Sequence, residues 1–62
     1  MNINRIQLIT EMAKQDVSVK ELAERSGVSR ATISALRSGK KASAETIDKI
    51  VKALGKDLED LQ

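Results

Sequence analysis

At 62 residues the chain has room for one small domain, and a domain of this size buries only about 60% of the surface that its unfolded chain exposes. It has no Cys and no His, which removes disulfides and the usual thiolate and imidazole ligands, so helix packing must supply the stability and neither a metal nor another cofactor is expected. No apolar run approaches the about 18 residues of a membrane span and no basic stretch leads into an apolar signal core, which predicts a soluble, cytoplasmic protein.

The formal net charge of +2 hides an uneven distribution. Residues 1–19 are neutral, residues 42–62 carry −2, and the middle of the chain holds +4. There Arg25, Arg30, Arg37, Lys40 and Lys41 follow one another with no acid between them, a cluster that suits a polyanion such as a phosphate backbone. A solvated basic face is the alternative.

Proline is absent, and Gly27, Gly39 and Gly55 punctuate the sequence into about five helical pieces, an all-α pattern. The first piece runs from about Asn4 to Lys14, with Leu8, Ile9, Met12 and Ala13 forming one apolar stripe. The second opens at Ser18. Ser18-Val19-Lys20-Glu21 matches a capping box, and Val17 and Leu22 are spaced for a hydrophobic staple. Gly27 can take the positive φ that ends this helix, with Val28 plugging the corner.

Ser29 is the next N-cap, opening a helix to about Arg37 whose Ile33 and Leu36 face inward with Val28 and Leu22. Arg30, Ala31, Thr32, Ser34 and Ala35 lie outward or flank that stripe, leaving short side chains where the helix can approach another surface closely. Gly39 ends it. Ser43 caps a fourth helix with Ile47, Ile50, Val51 and Leu54 at strongly periodic spacing, and Gly55 is its C′ residue. Asp57 is placed to cap a fifth, short turn in which Leu58 and Leu61 close the core or meet a partner.

The stretch ELAERSGVSRATIS, followed by SGK and by a capped helix ending in ALG, resembles the helix-turn-helix domain of the Cro and phage-repressor family, also called the xenobiotic-response-element family. The resemblance covers about Leu8 to Leu61, and its most specific parts are Leu22-Ala23, Gly27-Val28-Ser29, Ile33-Ser34 and Gly39-Lys40. It implies one compact five-helix DNA-binding domain over residues 1–62, with the motif at about 18–37 and a small Ala23 where its two helices cross.

By that resemblance the helix beginning at Ser29 is the recognition helix, which can enter a major groove about 12 Å wide. Ser29 and nearby amides would meet a phosphate, while Arg30, Ala31, Thr32 and Ser34 would face base edges. The chemistry agrees. Arg can donate two hydrogen bonds to guanine, the methyls of Ala31 and Thr32 can touch a thymine methyl, and hydroxyls pair with several bases. Arg30 has a second possible role on phosphate alone. The resemblance also places Ser38, Gly39, Lys40 and Lys41 along the DNA backbone, Ser18 at a second phosphate, and Lys20 less firmly there.

Two positions depart from the family pattern. Arg37 stands where many relatives carry Glu, and Met12 where that Glu finds its basic partner. Losing such a buried pair can be neutral or stabilising, because a desolvation cost goes with it. Arg37 is then free to turn toward DNA or toward Glu11. Val19 stands where relatives often use Gln to touch phosphate and brace the recognition helix.

No nucleophile, metal-ligand or phosphate-cradling motif points to an enzyme. The expected function is sequence-specific transcription regulation, with repression, a phage or mobile-element setting and a homodimer on a palindromic operator as its finer form, and no membrane or small-molecule partner. Leu58, Leu61 and the surface near Lys56 are candidates for the dimer contact, and the chain could equally be the DNA-binding end of a longer repressor. The competing expectation is a protein-interaction module of the same fold, antitoxin-like or anti-repressor. Against it, a pure protein binder has no need of an uninterrupted basic cluster.

Overall fold

A computed structural model describes residues 3–61. Among them are four α-helices, α1 (Arg5–Gln15), α2 (Val19–Ser26), α3 (Arg30–Arg37) and α4 (Ala44–Ala53), followed by one 3-10 turn, Leu58–Leu61. The expected fifth helix is therefore a single turn. It is closed by the Asp60 N–H on the Asp57 carbonyl, and the Asp60 carboxylate accepts the Asp57 N–H at 3.0 Å. The capping side chain is thus Asp60, not Asp57. Four residues cannot propagate an α-helix, and the tighter i to i+3 pattern closes in fewer.

Each α-helix starts at a residue whose side chain accepts an orphan amide. Asn4 takes the Ile6 and Gln7 N–H groups, Ser18 that of Glu21, Ser29 that of Thr32 and Ser43 that of Thr46. The capping box at Ser18 is complete, and both staple residues, Val17 and Leu22, are buried.

The helix ends differ in chemistry. After α3 and α4 the six-to-one bonds Lys40 N–H to Ala35 O and Lys56 N–H to Val51 O form with a positive-φ glycine between them, as in a Schellman motif. The end of α1 makes the same bonds, Val17 N–H to Met12 O and Asp16 N–H to Ala13 O, but with Asp16 at φ 55°. An acidic residue in the left-handed region is tolerated less well than Gly, and no glycine in the sequence marks this corner. After α2 the N–H of Gly27, at φ 75°, closes on Ala23 O, and Ser26 Oγ donates to Leu22 O at 2.6 Å while accepting the Val28 N–H. A Cβ on Gly27 would meet nothing within 4 Å, so backbone conformation alone calls for glycine there.

The core joins Leu8 and Met12 of α1, Leu22 of α2, Val28 at the corner, Ile33 and Leu36 of α3, and Ile47, Ile50 and Val51 of α4. Ile3, Val17, Leu54 and Leu61 complete it. The stripe of α1 is narrower than its spacing suggests: Ile9 is half-buried and Ala13 exposed. α2 packs on α3 and α4, and α1 packs on α3 and on the terminal turn. Long-range bonds lock this arrangement. The Asn4 N–H donates to Leu61 O at 2.8 Å, and Gln15 Nε2 to Leu54 O at 2.8 Å.

Leu61 is 1% exposed. It therefore closes the core and cannot serve the expected dimer contact, and the Lys56 ammonium is paired with Glu11 at 3.1 Å. The expectation for the Leu58 side chain lies outside what is described.

Candidate nucleic-acid interface

The turn between α2 and α3 contains three residues, Gly27, Val28 and Ser29. Val28 is drawn into the core and Ala23 is packed against it, which fixes α3 across α2 and leaves the opposite side of α3 open. Arg30, Ala31 and Ser34 are exposed on that side and Thr32 is half-buried beside them. The four expected reading positions thus share one short helical surface.

Ser29 and Thr32 share a hydrogen bond between their hydroxyls at 2.9 Å, and the Thr32 N–H also donates to Ser29 Oγ. Two hydroxyls that spend one hydrogen on each other retain one to give away. The pair therefore offers a ligand a single O–H donor, from Ser29 or from Thr32 according to which way the shared bond points. Beyond it, the N–H groups of Arg30 and Ala31 have no partner among the described residues, and no acid occupies the first turn of α3. The start of α3 is electropositive from its dipole, from these two amides and from the Arg30 guanidinium.

The start of α2 is different. Ser18 is exposed, but its hydroxyl accepts the Glu21 N–H at 3.0 Å and donates toward the Glu21 carboxylate at 3.4 Å. The helix end already holds an anion, which disfavours a second one there. Lys20 beside it is exposed and makes no ion pair among the described residues.

The loop after α3 holds Ser38, Lys40 and Lys41 on the surface. Three of its amides are not open to a phosphate: Ser38 N–H bonds Ser34 O and Ala35 O, Gly39 N–H bonds Leu36 O, and Lys40 N–H bonds Ala35 O. The Ser38 hydroxyl is also committed, to Ser34 O at 3.1 Å. Closing the helix consumes these donors, so the loop presents the ammonium groups of Lys40 and Lys41.

The basic cluster separates into three parts. Arg25 pairs with Glu21 at 3.7 Å. Arg37 is half-buried and lines a concavity of about 460 Å³ with Ile9, Met12, Asp16, Ser18 and Glu21, and its buried Nε finds no partner among the described residues. Glu11 is taken by Lys56, so Arg37 does not turn to it. Arg30, Lys40 and Lys41 are exposed and make no ion pair among the described residues.

One further cation belongs to this neighbourhood. A Cβ placed on Gly39, at φ 95°, would lie 3.4 Å from Arg5 Cδ and 3.8 Å from Arg5 Nε, so the Arg5 side chain lies against the loop that carries Lys40. Nothing in the spacing of positions so far apart in the chain reveals this.

The model of the helix-turn-helix family matches residues 8–61. No curated protein matches the chain. Among solved structures, Streptomyces albus HEPD with its substrate 2-hydroxyethylphosphonate and Fe(II) bound is similar, at a TM-score of 0.87 and 28% identity, over 95% of this chain and 14% of that one. The present chain thus spans a small part of that protein's length. No described helix is long and apolar enough to cross a membrane. From the match over residues 8–61, the chain belongs to the helix-turn-helix family of Cro and phage-repressor type.

Proposed function

We propose that the chain is a sequence-specific regulator of transcription, a repressor, that binds double-stranded DNA, reads its major groove with α3 and catalyses no reaction. Family membership suggests DNA-binding regulation. The observation that carries the finer reading is the start of α3, where two open amides, an unpaired Arg30 and a hydroxyl pair with one donor to give occur on a first turn without an acid. In this reading Arg30 donates to guanine O6 and N7, Ala31, Thr32 and Ser34 meet neighbouring base edges, and the amides of Arg30 and Ala31 hold a phosphate with Ser29. Lys40 and Lys41 position the protein on the backbone. Arg37, Ser38 and Ser18 stay in the second rank, because Arg37 is half-buried and both hydroxyls are engaged within the protein. A cytoplasmic location goes with this function.

Selection of sites from random duplex DNA, followed by titration of wild type, Arg30→Ala and Lys40→Ala, tests it. Arg30→Ala is expected to relax the preference at one base position, and Lys40→Ala to weaken all sequences alike. Equal affinity for every duplex, unchanged by either substitution, contradicts the reading. On a palindromic site the protein is proposed to bind as a homodimer with half-sites about 34 Å apart. Sedimentation that finds one protomer on such a site removes the dimer.

A protein-interaction module of the same fold is the second reading. Ile6 favours it, standing 58% exposed on α1. Unchanged DNA binding in Arg30→Ala together with loss of a protein partner in Ile6→Ser would support that module instead.

A further inference from the structure

We propose that Arg5 is a DNA-backbone contact, so that the phosphate-facing surface continues from Lys40 and Lys41 across Gly39 to the first residue of α1. This rests on the DNA-binding reading above and adds a second helix to it.

The first ground is proximity. Gly39 has no side chain, and the Arg5 stem occupies the space beside it, with Cδ 3.4 Å from where a Cβ would stand. The guanidinium is thereby attached to the loop that presents Lys40 and Lys41, within a stretch of chain that has no acid between Glu24 and Glu45. Arg5 is exposed, and its side chain has no ion pair or hydrogen bond among the described residues.

The second ground is that Arg5 does not serve its own helix. Basic residues stand in the last turn of every α-helix here, at Lys14, Arg25, Arg37 and Lys52, where they complement the dipole. Arg5 is at the opposite end, the first residue of α1, with no acid in that turn to compensate it. Only α3 repeats this arrangement, with Arg30 as its first residue and no acid in its first turn. In both helices an uncompensated cation is added to the positive end of a dipole. Such an end is poorly suited to helix stability and well suited to an anion outside the helix. In α1 the Asn4 cap bonds the Ile6 and Gln7 amides and leaves the Arg5 guanidinium free to extend from the loop.

A phosphate contact carries no sequence information, so the effect of Arg5 is uniform across DNA sequences and visible in the salt dependence. The experiment titrates the selected duplex with wild type, Arg5→Gln, Arg5→Lys and Lys40→Ala at salt concentrations from about 50 to about 200 mM. Each lost phosphate contact lowers the slope of log affinity against log salt by about 0.9, which shrinks the affinity change over that range by about 3.5-fold per protomer. Arg5→Gln keeps much of the stem and is expected to show this loss, Arg5→Lys to retain the wild-type slope, and the ranking of DNA sequences to stay the same in both. An unchanged slope in Arg5→Gln while Lys40→Ala lowers it overturns the proposal and leaves the DNA reading intact. Failure of Arg5→Lys to restore the slope also overturns it, since a merely structural role on Gly39 is then the explanation. A wild-type slope near zero removes both the proposal and the reading beneath it.

Discussion

α3 and α4 are built alike and equipped in opposite ways. Both start at a Ser whose hydroxyl accepts the third amide and bonds a Thr hydroxyl at 2.9 Å, Ser29 with Thr32 and Ser43 with Thr46. Both end in a Schellman motif, and both bury an aliphatic stripe. On α4, however, Lys49 pairs with Glu45 and Lys52 with Asp48, each acid one turn before its base, which is the favourable order. On α3 and its loop Arg30, Lys40 and Lys41 have no such acid. The lesson is that the caps and stripe make the helix, while the missing acids make the surface available to a ligand.

Giving α3 the acid that α4 has is the most severe way to break this contrast. Ser34→Glu stands one turn after Arg30 and is expected to reduce DNA affinity by at least about 30-fold, through the captured guanidinium and through repulsion of phosphate. Thermal unfolding should register less than about 0.5 kcal/mol of change, because the site is exposed. Ser34→Gln separates charge from size, and equal affinities of the two variants would remove the electrostatic account. Removing cations comes next. Arg30→Ala should cost about 1–3 kcal/mol of binding at one base pair, whereas Lys49→Ala and Lys52→Ala together should leave DNA affinity within about twofold and cost only about 0.2–0.5 kcal/mol of stability per pair.

The caps sharpen the comparison further. Ser29→Ala and Ser43→Ala should each destabilise the fold by about 1 kcal/mol, but only Ser29→Ala should also weaken DNA binding. The smallest effect is expected from the hydroxyl partners. Thr32→Val leaves the Ser29 hydroxyl with its own hydrogen to give, so it removes only the choice of which oxygen donates and should cost no more than about 0.5 kcal/mol of binding, while Thr46→Val should leave binding unchanged in the same DNA titration.

What was legible in the sequence is what local chemistry decides. The cap serines, the staple at Val17 and Leu22, the glycine corners and the inward set Leu22, Val28, Ile33 and Leu36 follow from spacing and are found as expected. What was not legible depends on which distant groups the packing brings together. Lys56 captures Glu11, which settles one of the two destinations open to Arg37, and Arg5 reaches Gly39 from the other end of the chain. The Asp16 corner carries no signal in the sequence, because a residue other than glycine takes the left-handed conformation there. At the candidate site, positions on α3 could be assigned from helical period, but their hydrogen-bond state could not. The amides of Ser38, Gly39 and Lys40 are used by the end of α3, which spacing alone does not reveal.

The bond between the Asn4 amide and the Leu61 carbonyl brings the first helix cap beside the terminal turn. Topologically the described segment is close to a ring. A short linker joining those two regions would permit the order of the helices to be permuted, for instance by opening the chain in the exposed stretch around Lys41, with the core contacts kept. A permuted protein of that kind would carry the reading helix and lose the continuity of its basic loop. Folding and backbone tracking could then be measured as separate properties of one set of side chains.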